Sequence, residues 1–213
     1  MNWRGWFRRA PRHLTPALER QIRDEFDRAS LDPEHFPETI DPRILHVQEI
    51  LKWFGNLTGK SVLDVGCGKG RFARVLQESF PEAEIHGLDI SPAMLKFVPA
   101  GIATQVGMMT ALPYPSGRFD FVYATESLEH AVETELAVSE MCRVLKPGGR
   151  LVIIDKNAEH FGRLQTPAWE RWFGREELEQ LLRRDCREVF SRPISYWEDV
   201  APDGMFLAWF ATK

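Results

Sequence analysis

The stretch Asp64-Val65-Gly66-Cys67-Gly68-Lys69-Gly70 decides the reading of this chain. It follows Ser61-Val62-Leu63 and opens an amphipathic run in which Phe72, Val75 and Leu76 share a face opposite Arg71, Arg74 and Gln77. That order predicts a strand, a glycine loop and a helix. Three glycines at alternate positions leave no side chain between backbone and ligand, and they tolerate positive φ. Backbone N–H groups at the loop and helix start then face whatever sits there.

Spacing narrows the ligand. A dinucleotide loop reads G-x-G-x-x-G, with a pyrophosphate on the helix N-terminus. Here the pattern is G-x-G-x-G, preceded two residues earlier by Asp64. Asp89 ends a second apolar stretch containing Ile85, Gly87 and Leu88. A carboxylate at that strand tip is placed to accept hydrogen bonds from both hydroxyls of a ribose, and such charge-assisted bonds are strong. The expected ligand is a nucleoside, with no pyrophosphate required.

With these residues in view, the chain resembles the class I S-adenosylmethionine-dependent methyltransferases. Four segments carry the resemblance in order: VLDVGCGKG (62–70), GLDISPAML (87–95), LPYPSGRFDFVYATESLEH (112–130) and RVLKPGGRLVI (143–153). The resemblance implies an S-adenosyl-L-methionine cofactor. Its methionine part would lie on the loop from Asp64 through Gly66, Cys67 and Gly68, and its ribose on Asp89. Ile90, Met108 and Met109 would flank the adenine. Many relatives carry an acidic residue where Met108 stands, accepting a bond from the adenine amino group. A thioether is a weak acceptor, so adenine here is expected to rely on apolar and backbone contacts.

Composition bounds the rest. At 213 residues the chain is long enough for one well-buried domain and too short for two comfortable ones. Its 44% hydrophobic and 27% charged residues are those of an ordinary globular protein. A net charge of −4 supplies no general basic field for nucleic acid. Three cysteines without a C-x-x-C argue against a disulfide framework or a zinc ribbon, and a reducing cytoplasm is the expected setting. No apolar run approaches the ~20 residues of a membrane span, and no secretory signal is read at the N-terminus.

The expected architecture is α/β: a Rossmann-like, doubly wound, mostly parallel seven-stranded sheet with an antiparallel C-terminal edge hairpin and an N-terminal helical extension. Residues 1–41 form the arm and first helix, and 42–213 the cofactor-binding domain. Strands are expected near 61–65, 84–89, 102–106, 119–124, 149–155, 187–197 and 205–212. Helices are expected at Pro16–Ala29 and near 42–54, 70–79, 92–97, 132–145 and 175–184. Lys146-Pro147-Gly148-Gly149 reads as a turn. In the arm, Trp3, Trp6 and Phe7 alternate with Arg4, Arg8, Arg9 and Arg12. It is read as packing on the domain, as a substrate lid, or as a weak membrane-surface contact through residues 3–12.

In open α/β sheets ligands bind beyond the carboxyl ends of the strands. The loop after the fourth strand, Thr125-Glu126-Ser127-Leu128-Glu129-His130, should therefore face the methyl group. Alignment alone accounts for much of the acceleration of a methyl transfer. Where the acceptor must lose a proton, His130 is the candidate base, with an ordinary pKa about 6.5, and Glu126 is counted with it. The other reading of His130 is a loop cap. Glu126, Glu129, His130 and His160 also have residue types suited to Mg²⁺ or Mn²⁺; our expectation is that they hold no metal. Trp169, Trp172, Tyr196 and Trp197 offer an aromatic wall for the acceptor.

The reading that follows is transfer of a methyl group to a small, apolar or aromatic molecule, O-methylation first. The alternatives are an RNA methyltransferase, a non-catalytic cofactor-binding module, and a nicotinamide oxidoreductase, which the glycine spacing disfavours.

Overall fold

A computed structural model describes residues 13–197 and 203–213. The basic, aromatic arm through Arg12 lies outside the described residues, and with it the three readings of that arm.

The chain begins with α1 (Pro16–Ala29) and α2 (Leu45–Phe54). The Thr15 hydroxyl accepts from the Leu18 N–H at 3.2 Å, and Pro16 fills the first helical position, so α1 starts where its cap dictates. The alternating core follows: β1 (Ser61–Val65), α3 (Arg71–Ser79), β2 (Glu84–Asp89), α4 (Pro92–Leu95), β3 (Ala103–Val106), β4 (Phe119–Thr125), α5 (Thr134–Val144) and β5 (Leu145–Lys156). Then come α6 (Arg175–Leu182), β6 (Arg187–Ile194) and β7 (Phe206–Thr212). Among the described residues, no helix is long and apolar enough to cross a membrane.

Seven strands form one sheet in the order β3-β2-β1-β4-β5-β7-β6. The first five are parallel, and β7 runs antiparallel between β5 and β6. This is the expected seven-stranded arrangement with its C-terminal hairpin. Every residue of β1 is buried because helices cover both faces. On one face α5 and α6 pack Val138, Met141, Leu178 and Leu182 against the sheet. On the other, α2 and α3 contribute Val47, Ile50, Phe72 and Leu76.

Among the strands, two boundaries differ from expectation by more than one residue. Strand β5 starts at Leu145, which pairs with Phe119, so the Lys146–Gly149 turn becomes an irregularity inside the strand. Strand β6 stops at Ile194; Pro193 is tolerated there because β6 is the sheet edge.

His46 on α2 is fully buried and stacks on Tyr196 with ring centroids 4.4 Å apart. Neither ring nitrogen has a hydrogen-bond partner. Burial pushes its pKa down to about 4. The unfolded chain takes up this proton near pH 6.5 and the folded chain only near 4. Stability from the neutral ring is therefore complete above about pH 6.5 and lost as pH falls toward 4. We expect His46→Phe to keep the stacking and remove an acid-side loss on the order of 3 kcal/mol. Urea unfolding of both proteins from pH 7 to 4 checks this; parallel pH profiles would refute it.

Candidate cofactor and acceptor site

The carboxyl ends of β1, β2, β4 and β5 open into a cavity of about 430 Å³. The glycine loop forms one wall. Gly66 and Gly68 hold φ of 75° and 53°, conformations that favour glycine. A Cβ on Gly66 would lie 2.5 Å from the Ser127 Cβ, whereas one on Gly68 would meet no protein atom within 4 Å. Gly66 is therefore fixed by protein packing, and Gly68 borders open space.

Asp89, at the end of β2, is 8% exposed. Its Oδ2 accepts from the Gly68 N–H and its Oδ1 from the Ser91 N–H, both at 2.8 Å. Burial raises its pKa to about 6, against the pull of those bonds. Each oxygen keeps a further lone pair for a ligand hydroxyl. Asp64 lines the cavity too, but its Oδ2 accepts from the Tyr123 hydroxyl at 2.8 Å, and burial raises its pKa to about 7. Cys67, Ile90, Met108, Met109 and Thr125 complete this wall, so all nine expected cofactor residues border one space. The Thr125 hydroxyl is buried without a partner.

These residues fit a nucleoside carrying a sulfonium amino acid. Two carboxylates suit hydroxyls and positive charge, the methionines and Ile90 suit a ring, and Thr125 has a bond to give. The same carboxylates would repel a pyrophosphate.

The loop after β4 carries the second part of the site. Glu126 has φ 51° and accepts from Arg71 Nη2 at 3.2 Å and from the Tyr196 hydroxyl at 2.8 Å. It is thus tied to the start of α3 and to the segment after β6. His130 ends a short 3₁₀ turn, Leu128–His130. Its Nε2 lies 3.4 Å from Glu129 Oε1 and its Nδ1 4.0 Å from Glu170 Oε2. Phe26 of α1 meets the imidazole edge to face at 4.9 Å. Burial first, then the Lys156 charge, lowers the His130 pKa to about 3, so the ring is neutral near pH 7.

Beneath His130, the Lys156 ammonium bridges Glu129 Oε1 at 2.8 Å and Glu170 Oε1 at 3.0 Å. The Trp172 indole N–H donates to the same Glu170 oxygen at 2.7 Å. Asp155 accepts from the Glu129 N–H at 3.1 Å. Burial and the Asp155 charge raise the Glu129 pKa above the ordinary carboxyl range.

Helix α1 closes the cavity. Ile22 packs with Val132 and Trp169, and Phe26 joins them. Asp27 Oδ1 accepts from the Ser91 hydroxyl at 2.5 Å and from the Ala93 N–H at 3.2 Å, tying α1 to the start of α4.

The placement of three residue groups refines the reading from sequence. The four candidate metal ligands are not brought together: Glu126 turns to Arg71 and Tyr196, and His160 borders a separate cavity with Glu159 and Asp203. The aromatic wall is not continuous. Trp169 packs under α1, Trp172 bonds Glu170, Tyr196 stacks on His46, and Trp197 is exposed near Arg43. Asp89 supports the fold as well as facing the cleft, because it holds two backbone N–H groups.

Sequence reasoning missed Lys156, Glu170 and Arg71. Lys156 carried a usable signal, since it is the last residue of a parallel strand. Glu170 sits in an irregular segment and carried none.

Residues 63–153 match the family described as methyltransferase domain. The 2-methyl-6-phytyl-1,4-hydroquinone methyltransferase of Synechocystis sp. is 32% identical over 70% of this chain and 49% of its own length. The demethylmenaquinone methyltransferase of Lactococcus lactis subsp. lactis is 32% identical over 67% of this chain and 61% of its own. The chain thus spans about half to three-fifths of the length of these relatives. The structure of the cyclase SpnF covers 96% of this chain and 99% of its own at 20% identity, with a TM-score of 0.75. The chain belongs to the class I S-adenosylmethionine-dependent methyltransferase family. Its curated relatives include enzymes named for quinone, tocopherol and fatty-acid acceptors.

Proposed function

We propose that this chain is an S-adenosylmethionine-dependent methyltransferase that methylates a hydroxyl oxygen on a small, apolar acceptor. The observation that carries the reading is one cavity bordered by the glycine loop and Asp89, by the His130–Lys156 cluster, and by apolar side chains of α1. Bound there, the cofactor supplies a methyl group on a sulfonium. Asp89 binds the ribose hydroxyls, and Ile90, Met108 and Met109 hold the ring. Thr125 and the loop after β4 orient the methionine end. His130, neutral near pH 7, takes the acceptor's proton, and α1 excludes water from the reacting atoms. Curated relatives named for quinone, tocopherol and fatty-acid acceptors support a small-molecule acceptor. The three free cysteines are in keeping with a cytoplasmic setting.

Calorimetry with S-adenosylhomocysteine and with NAD tests the cofactor. We expect binding of the first alone. Asp89→Ala should weaken it by several-fold to about a hundredfold, since bonds to charged groups contribute about 1.5–3 kcal/mol. Unchanged affinity would remove Asp89 from the site. Transfer of labelled methyl to a panel of alkyl hydroquinones, tocopherol-type phenols and fatty acids tests the acceptor.

A further inference from the structure

Lys156 closes β5 and borders the cavity. Its ammonium carries three N–H donors. Glu129 and Glu170 take two, and the third has no protein acceptor among the described residues. Glu129 Oε1 is common to Lys156 Nζ and His130 Nε2, so the cation and the imidazole flank a single atom. His130 Nδ1 and Glu129 Oε2 are buried without hydrogen-bond partners. The wall around them is apolar, with Ile22, Phe26, Val132 and Pro167. A buried polar group without a partner costs about 1–3 kcal/mol. A cation with an N–H to spare and a neutral imidazole on either side of one carboxylate oxygen, in an otherwise greasy wall, match a ligand whose polar atom both accepts and donates. A hydroxyl does both.

We propose that Lys156 anchors the acceptor oxygen, donating its third N–H to the hydroxyl that His130 deprotonates, and so selects hydroxyl acceptors over amines. This rests on the transferase reading above. In the transfer, the hydroxyl proton passes to His130 and an oxygen electron pair forms the bond to the methyl carbon. The carbon–sulfur bond breaks with its pair kept on sulfur, so sulfonium becomes thioether and imidazole becomes imidazolium. Lys156 keeps its proton throughout and holds the oxygen as negative charge grows on it. A protonated amine would instead meet a like charge at close range. Glu129, His130 and Glu170 present atoms within 4.8 Å of one another, a grouping that a divalent ion would also suit. The ammonium between the two carboxylates supplies the positive charge there instead.

The probe is para-nitrophenol, whose colour reports its ionisation, added to protein saturated with S-adenosylhomocysteine. A cation in contact favours the phenolate, whereas burial in an apolar cavity disfavours it. We expect bound phenol to ionise about one pH unit or more below free phenol. Lys156→Met should abolish that downward shift with cofactor affinity preserved, and Lys156→Arg should restore most of it. An upward shift or no shift in the wild type overturns the proposal, whether or not the methionine variant folds. So does a downward shift that persists in Lys156→Met, or a wild type that holds S-adenosylhomocysteine and takes no phenol. A wild type that binds no S-adenosylhomocysteine refutes the transferase reading instead.

Discussion

Replacing His130 with alanine is expected to lower methyl transfer by roughly 10²–10⁴-fold while leaving S-adenosylhomocysteine affinity unchanged. His130 stands among Glu129, Lys156 and Glu170, and its Nδ1 has no partner among the described residues. A hydroxyl acceptor needs a base, and the neutral imidazole borders the cavity. The pH dependence follows from burial. The working form is the neutral ring, and in the folded protein it takes a proton only near pH 3. An ordinary histidine base would give a rate that falls as pH drops through about 6.5; burial of His130 removes that expectation. We expect no limb of kcat/KM near that value that His130→Ala removes. The Lys156 charge between the carboxylates gives a further expectation: activity survives a chelator, and His160→Ala behaves as wild type. A His130→Ala protein with full turnover would leave alignment as the whole mechanism.

Gly66→Val is expected to abolish cofactor binding and to destabilise the fold by about 2–5 kcal/mol. Two costs add. A side chain at φ 75° is strained, by about 1–2 kcal/mol for an ordinary L-residue. Its Cβ would also sit 2.5 Å from the Ser127 Cβ, whose hydroxyl is held by the Val65 carbonyl at 2.8 Å. Ser127 cannot yield without breaking that bond or moving the loop that carries Thr125 and His130. Gly68→Val is the contrasting case. Its Cβ meets no protein atom, so the fold should survive with only the backbone strain, while a cofactor in that space is excluded. Thermal unfolding and calorimetry on the two variants separate these effects. Normal binding by either would put the cofactor elsewhere.

What the sequence made legible was local. The helix starts expected at Pro16 and near residue 92 are used by the structure, because a hydroxyl cap and a proline act within one turn. The glycine loop and Asp89 were legible because each ends a strand, and strand ends meet at the cleft. Convergence was not legible. Lys156, Glu129 and Glu170 come from the end of β5, a 3₁₀ turn and an irregular segment, and no periodicity links them. Glu126 looked like a partner of His130 by spacing. A positive φ at that one residue accompanies its turn toward Arg71 and Tyr196 instead. The tryptophans were read as one surface because they crowd the C-terminal third, yet each found a different neighbour in the packing.

The Asp27 carboxylate has a consequence for the order of events. It caps the turn at Ser91 and Ala93, and the Ser91 N–H is itself bound to Asp89. A nucleoside that draws on Asp89 therefore acts on the same four-residue turn that seats α1. Seating and loading become linked equilibria, and linkage is reciprocal: whatever factor α1 adds to cofactor affinity, the cofactor adds to the closed population of α1. Weakening the tie, as in Asp27→Asn, should then raise cofactor exchange rates and acceptor KM together, although Asp27 need touch neither molecule.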